Sequence, residues 1–304
     1  MDGADGLLGQ GLDELGERAM GTNAGTGNRP GTFSVWRHAD GLTPELAVEL
    51  ERLGYGRIWI GGSPDGDLSA AERLLDATST IGLATGIVNI WKDDARIVAA
   101  SFRRLEELHP GRFLLGIGAG HREATGDRYV RPYEALVAYL DVLDAEGVPQ
   151  RRRVLAALGP RVLRLAAERA AGAHPYLVTP EHTRAAREIL GGDALLAPEQ
   201  KVVLEPDPAR ARAIGRPRIE NPYLSLSNYT SNLRRLGWSE EDLTGGGSDR
   251  LIDALAPHGT PAQVADALRA HLRAGADEVA IQLLTADGEP PDSGYGLLAE
   301  ALQG

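Results

Sequence analysis

GRFLLGIGAGH, residues 111–121, is an apolar run followed by small residues and a histidine. Its glycines resemble a dinucleotide-binding loop, but the third glycine of that motif is missing at its offset. The next helical pattern begins only near Pro132, whereas a Rossmann loop opens its helix directly. We therefore interpret residues 113–117 as a buried parallel strand. Its small C-terminal residues would let a flat ligand approach the backbone.

Outward from this run, the chain alternates between apolar runs and helical patterns. Further strand-like runs lie at residues 33–36, 57–60, 82–88, 154–157, 176–178, 201–204 and 278–283. Helical periods lie at residues 44–53, 95–108, 133–143, 161–170, 183–190 and 261–274. Strands buried on both faces read as continuous apolar runs. Eight strands with crossover helices favour an α/β fold, a (β/α)8 TIM-type barrel, over an open sheet, although the length also suits two small domains.

Two segments fall outside this alternation. Residues 1–31 are glycine-rich and predict a flexible N-terminal tail before a barrel domain of residues 32–304. Met20 leaves open whether residues 1–19 are translated natively. Residues 205–259 lie between strand seven and the last crossover helix, and we expect this insertion to form a lid or pocket wall.

Composition narrows the class of protein. The chain has 304 residues, no cysteine and a formal net charge of −11, so disulfides are excluded and nucleic acid is disfavoured. No apolar run approaches the roughly 20 residues of a membrane span, and the acidic N-terminus is unlike a signal peptide. We expect a cytoplasmic protein with a small-molecule substrate and neither nucleic-acid nor membrane partners. A homodimer is left open.

The histidines can be divided by their positions relative to the predicted strands, because residues directly after a barrel strand lie on the catalytic face. His38, His121 and His182 follow predicted strands one, four and six, and are the candidate catalytic residues. His174 is expected just before strand six or within its start. The sequence contains neither a metal-ligand spacing such as His-x-x-x-His nor a G-x-S-x-G elbow, so we expect no metal.

Several stretches resemble the bacterial-luciferase-like superfamily. They are GYGRIWI at 54–60, ATGIVN at 84–89, GRFLLGIG at 111–118 and GTP at 259–261. AHPYLVTPEHT at 173–183 resembles the coenzyme F420-dependent oxidoreductase branch. The resemblance implies hydride transfer between this deazaflavin and a small organic substrate. An FMN-dependent luciferase-like monooxygenase and a non-catalytic cofactor-binding protein are the alternatives.

The resemblance also implies site residues. In the family a non-prolyl cis peptide supports the cofactor ring, and the matching bond joins Gly86 to Ile87. The remaining residues that would hold the cofactor are Asn89, Ala119, Gly120, Gly159, Arg161 and Val162. The candidate substrate-binding residues are Ser63, Thr179 and Glu181.

Three positions differ from the deazaflavin sugar-phosphate dehydrogenases of the family. An Asp-His pair is replaced by Gly62-Ser63, and His121 occupies the position of a glutamate proton donor. His182 occupies the position of the lysine that binds the substrate in those dehydrogenases. These replacements disfavour a sugar-phosphate substrate.

Overall fold

The computed structural model describes residues 31–304. Apart from Gly31, the predicted N-terminal tail therefore lies outside the described residues. All strand pairings are parallel. The strands are β1 (Phe33–His38), β2 (Arg57–Gly61), β3 (Gly82–Gly86), β4 (Val88–Asn89), β5 (Phe113–Gly118), β6 (Arg153–Leu155), β7 (Gly172–Ala173), β8 (Leu195–Leu196), β9 (Glu199–Val203) and β10 (Val279–Leu284).

The sheet closes on itself. Its order is β8-β7-β6-β5-β3-β2-β1-β10-β9, and β4 continues β3 along β5. Only Ala197 and Pro198 separate β8 from β9. The Ala197 amide donates to the Ala173 carbonyl at 3.0 Å, and the Ala280 amide donates to the Pro198 carbonyl at 2.8 Å. This segment therefore joins β7 on one side and β10 on the other, which confirms the predicted TIM-type barrel.

Helices follow most strands and cover the outside of the barrel. Around it lie α1 (Pro44–Arg52), α2 (Ser69–Ala77), α3 (Ala95–Leu108), α4 (Arg122–Thr125), α5 (Pro132–Ala145), α6 (Pro160–Arg169) and α7 (Pro180–Leu190). The Thr43 and Thr260 side chains accept from the amides of Leu46 at 3.2 Å and Gln263 at 3.4 Å. Both helices thus begin at a Thr-Pro pair, as expected for an N-cap followed by proline.

The predicted insertion after strand seven is present. It contains α8 (Pro208–Glu220), α9 (Ser227–Arg235), α10 (Glu240–Leu243) and α11 (Asp249–Leu255), and is followed by α12 (Pro261–Arg273) and α13 (Asp292–Gln303). The insertion has a core of its own, to which Ile219, Leu233 and Leu255 contribute. Val203 of β9 belongs to the same cluster, so the insertion packs directly on the barrel.

The prediction of strand six was wrong. Residues 176–178 form no strand; β7 ends at Ala173, and Leu177 has a positive φ of 55°. Strand seven also begins earlier than residue 201, because Glu199, Gln200 and Lys201 are all buried within β9. An apolar-run criterion misses strands that are two residues long or that carry paired polar side chains.

Candidate active site

A cavity of about 420 Å³ opens at the C-terminal ends of the strands. All eight residues expected to hold a cofactor line it: Gly86, Ile87, Asn89, Ala119, Gly120, Gly159, Arg161 and Val162. Three further candidates, His38, Ser63 and His121, also line it. The barrel thus brings together residues that are up to 124 positions apart in the chain.

The floor of this cavity is built from close backbone approaches. The Gly86–Ile87 peptide bond is cis, as the resemblance implied. Gly120 has a φ of +61°, and a Cβ atom there would lie 2.7 Å from Asn89 Nδ2. Asn89 Oδ1 accepts from the Trp91 amide at 3.0 Å, which leaves the NH2 group directed towards Gly120. Only glycine suits position 120, both for its backbone conformation and for its space.

One side wall is the start of α6. Gly159 is the N-cap and Pro160 the first helical residue, so the N-terminal amides lie beside the cavity. The Arg161 guanidinium lies 3.6 Å from the centroid of the Tyr133 ring and 3.2 Å from Glu134 Oε1. This cation is therefore held at the rim of the cavity, close to the helix start.

Two of the three candidate histidines lie in the wall. His121 Nδ1 is 3.4 Å from Asn228 Nδ2 of the insertion, and its ring centroid is 5.5 Å from that of Tyr229. Burial lowers the pKa of His121, while Glu123 and Asn228 oppose the shift, so the imidazole is neutral at pH 7. His38 contacts Trp36 edge-on, with 5.5 Å between ring centroids.

The other candidates are not brought to the cavity wall. His182 lies in the first turn of α7, where it is buried, and its Nε2 is 2.9 Å from the Leu158 carbonyl. Thr179 is the buried N-cap of α7, and Glu181 is exposed on its first turn. The reason is the misplaced strand six: these residues begin a helix and do not follow the end of a strand directly.

Sequence reasoning missed His174, which follows β7 directly and lines the cavity. Its Nδ1 is 2.6 Å from the Ala197 carbonyl, and burial lowers its pKa to about 4. Within residues 31–304, His174 Nε2 and Trp36 Nε1 are buried without a hydrogen-bond partner. A Cβ atom at Gly86 would lie 3.4 Å from the first and 2.8 Å from the second. Because β7 is only two residues long, the sequence has no apolar run that would mark a strand ending just before His174.

A second cavity of about 370 Å³ adjoins the first. Trp36, His38, Tyr176 and Tyr223 line both cavities. The hydroxyl of Tyr223 donates to that of Tyr176 at 3.1 Å, and Tyr176 donates to Gln282 Oε1 at 2.8 Å. The sequence offered no signal for these tyrosines, because they meet only when the insertion folds over the barrel.

Lys201 and Glu199 form a buried ion pair behind the tyrosines, with 3.1 Å between Nζ and Oε1. Burial lowers the pKa of Lys201 and raises that of Glu199, while each charge opposes the other's shift.

In residues 31–304, no group of three or more His, Asp or Glu side chains could hold a metal ion. No helix of the described chain is long and apolar enough to cross a membrane.

The closed barrel with a cavity at the C-terminal ends of its strands defines a protein of the TIM-barrel class. The sequence profile of the luciferase-like monooxygenase family matches residues 31–278, and the chain belongs to this family. Its members are oxidoreductases or monooxygenases.

Individual relatives are more distant. A 4-hydroxyprotoasukamycin monooxygenase from Streptomyces nodosus subsp. asukaensis is 35% identical over 101 residues, or 31% of this chain. The match spans about a quarter (26%) of that relative's length. An F420-dependent secondary alcohol dehydrogenase, solved with an F420-acetone adduct, shares the fold with a TM-score of 0.71 and 14% identity, covering 91% of this chain and 100% of that one. The FMN-bound oxygenating constituent of 3,6-diketocamphane monooxygenase from Pseudomonas putida has a TM-score of 0.67 and 13% identity, and the match covers 90% of this chain and 97% of that one.

Proposed function

We propose that the protein exchanges a hydride between the deazaflavin coenzyme F420 and a small organic substrate. The observation that carries the proposal is the convergence of all eight expected cofactor residues on one cavity. The resemblance of residues 173–183 to the F420-dependent branch supports deazaflavin over FMN. Thr179, Glu181 and His182 of that stretch lie outside the cavity wall and are assigned no direct contact with the ring.

The residues present fit a flat ring with polar edges. Gly86 and Gly120 expose backbone without a side chain at the cavity wall, so a flat ring can approach closely, and the Asn89 amide offers a hydrogen-bond donor. The amides at the start of α6 and the Arg161 guanidinium suit an anionic tail. When bound, such a ring supplies or accepts the hydride, while the protein orients it and handles the proton.

His121 is our candidate for the residue that accepts and returns the proton. A neutral imidazole can accept the proton of a substrate hydroxyl when a hydride leaves the adjacent carbon. In the opposite direction, the resulting imidazolium returns that proton to the developing alkoxide. His38 lies in the same cavity wall and is the second candidate.

Two alternatives have their own support. A monooxygenase, for which the resemblance implies FMN, is favoured by the 35% identity to the Streptomyces monooxygenase over 101 residues. A non-catalytic cofactor-binding protein is favoured by Gly62-Ser63, which stand where related dehydrogenases carry an Asp-His pair.

The test is a side-by-side titration of the purified protein with F420, FMN and NADP, followed by absorbance and fluorescence. We expect F420 to bind most tightly. Micromolar binding of FMN with no binding of F420 would reverse the assignment in favour of the monooxygenase.

A matched pair of variants locates the binding site. Gly120→Ala should weaken binding of the cofactor, because its Cβ atom would meet Asn89 in the cavity. Gly126→Ala also places alanine at a positive φ, +63°, but has nothing within 4 Å of its Cβ position. Equal loss of affinity in both variants would show that the ring lies elsewhere.

A further inference from the structure

Aromatic side chains are concentrated at the first cavity. Phe, Trp and Tyr make up only 5% of the chain, with three phenylalanines, four tryptophans and eight tyrosines. Five of the eight tyrosines and one tryptophan line this cavity: Trp36, Tyr129, Tyr133, Tyr176, Tyr223 and Tyr229. The phenylalanines Phe33, Phe102 and Phe113 lie instead in the barrel core. The cavity thus holds a far larger share of the aromatic residues than of the chain as a whole.

Four of these rings form one continuous surface, the aromatic wall, made of Trp36, Tyr176, Tyr223 and Tyr229. Trp36 lies on β1, Tyr176 follows β7, and the other two belong to the insertion. The ring centroids of Trp36 and Tyr176 are 5.1 Å apart, and those of Tyr176 and Tyr223 are 5.4 Å apart. Tyr223 and Tyr229 follow at 5.0 Å with an interplanar angle of 78°. These separations are typical of interacting aromatic rings, so the aromatic wall is a contiguous surface.

The aromatic wall is held in place from behind. Lys201 Nζ lies 3.9 Å from the centroid of the Tyr176 ring and 5.1 Å from that of Tyr223, within range of a cation–π contact. The hydroxyl groups of these tyrosines bond to each other and to Gln282, which lines the second cavity but not the first. The two residues therefore present mainly ring atoms to the first cavity, and a ligand meets a surface that is already formed.

The aromatic wall lies beside the residues expected to hold the cofactor. Those residues lie at or after the ends of β3, β4, β5 and β6, which are neighbours in the sheet. The aromatic wall comes from β1 and from the segments after β7 and β9, on the rest of the barrel rim. The two sets meet at Trp36, whose Nε1 would lie 2.8 Å from a Cβ atom at Gly86. A ligand on the aromatic wall would therefore lie next to a cofactor ring bound at Gly86.

We propose that the substrate is an uncharged aromatic compound whose ring packs against the aromatic wall. The word substrate rests on the proposed function; the preference for an aromatic ligand rests on the aromatic wall alone. A saturated ligand of the same skeleton gains from apolar burial as well, but it lacks the attraction between ring edges and ring faces. The four side chains carry no charge, so an ionic group would find no counter-charge there.

The experiment uses the full-length protein without cofactor and two probes, naphthylmethanol and its decahydro analogue. The probes share a carbon skeleton and an aliphatic hydroxyl group, so they differ in planarity and aromatic character. Dissociation constants are measured by NMR titration. We expect naphthylmethanol to bind about three- to tenfold more tightly, the size of one favourable aromatic contact.

Three variants test whether the aromatic wall causes this preference. Tyr223→Leu removes one ring but keeps an apolar side chain, and should reduce the preference by about twofold. Tyr223→Phe keeps the ring and loses only the hydroxyl group, so it should retain the preference. Tyr133→Leu is the matched control, because it removes a ring that lines the same cavity outside the aromatic wall. In the wild type, intermolecular NOEs from the naphthyl protons to the ring protons of Tyr223 and Tyr229 locate the probe independently of any variant.

A second titration separates this site from that of the cofactor ring. With F420 or FMN bound, naphthylmethanol should bind at least as tightly as it does to the free protein, because the two rings lie side by side. Competition with the cofactor, equal or weaker binding of the aromatic probe, no binding of either probe, or an undiminished preference in Tyr223→Leu would overturn the inference. If neither cofactor binds, the proposed function fails, while the preference measured without cofactor is decided on its own.

Discussion

The imidazole of His174 lies flat on the indole of Trp59, with 3.9 Å between ring centroids and 5° between ring planes. Both side chains are buried, and the stack supports the floor of the first cavity from below. Because His174 also contacts the Ala197 carbonyl through Nδ1, its ring orientation is held from two sides. A histidine packed in this way is neutral, and this has a measurable consequence for stability.

Stability should fall as the pH is lowered below about 6.5. The pKa values of His174 and His271 are lowered to about 4 by burial, so the unfolded chain binds protons that the folded protein does not. Each histidine then reduces the free energy of unfolding by up to about 1.4 kcal/mol per pH unit between its unfolded and folded pKa values. Urea unfolding at pH 5 and 7 measures the difference. His174→Gln should reduce this difference in the free energy of unfolding. An unchanged difference in that variant would show that His174 does not contribute to the pH dependence.

Gly61→Ala should destabilise the fold by about 1–3 kcal/mol. A Cβ atom at this position would lie 2.1 Å from Trp36 Cζ2, inside the barrel. The control is Gly296→Ala in α13, where nothing lies within 4 Å and alanine should stabilise the helix by about 0.5–1 kcal/mol. Thermal and urea unfolding of both variants give the comparison. A Gly61→Ala protein as stable as wild type would show that the indole moves at little cost.

His121→Gln separates a proton-transfer role from a role in binding the cofactor. As the proton-transfer residue, its loss should lower turnover by roughly 10²–10⁴ while the cofactor dissociation constant changes little. Because burial lowers the pKa of His121, the rate of substrate oxidation should be level near pH 7 and fall only in more acidic buffer. His109→Gln, at the opposite end of β5, is the control. Weaker cofactor binding with unchanged turnover at saturation would instead make His121 a ligand of the ring.

Arg161→Ala should weaken cofactor binding severalfold, and added salt should reduce the difference between this variant and wild type. Arg161 lies in the cavity wall at the start of α6. Arg164→Ala removes an exposed arginine one turn further along the same helix, away from the cavity, and should bind as wild type does. Equal effects of the two variants would point to general electrostatics in place of a local contact.

Much of the fold could be predicted from local patterns. The run at residues 113–117 is β5 within one residue, and the helical periods predicted at 44–53 and 261–274 are α1 and α12, each of which begins at a Thr-Pro pair. These signals succeed because burial on both faces and helix capping are each decided by a few neighbouring residues. Prediction failed at Glu199 and Gln200, because a carboxylate and an amide contradict a buried strand until the pairing of Glu199 with Lys201 is known.

The candidate site divides in the same way. His121 was found because it directly follows a recognisable strand and the ends of parallel strands meet at one edge, whereas Asn89 and Gly120 were expected only from the resemblance to the family. His182 was placed wrongly because β7 is too short to detect, and His174 was overlooked for the same reason.

The sequence by itself determined most of the succession of strands and helices and the family, since these depend on short-range patterns. Only the tertiary structure decided which polar groups share a proton or a hydrogen bond. Tyr176 and Gln282 are 106 residues apart, and Lys201 contacts the same Gln282 oxygen only because the barrel brings β9 beside β10. Contacts of this range depend on the closed barrel as a whole, and no local pattern encodes them.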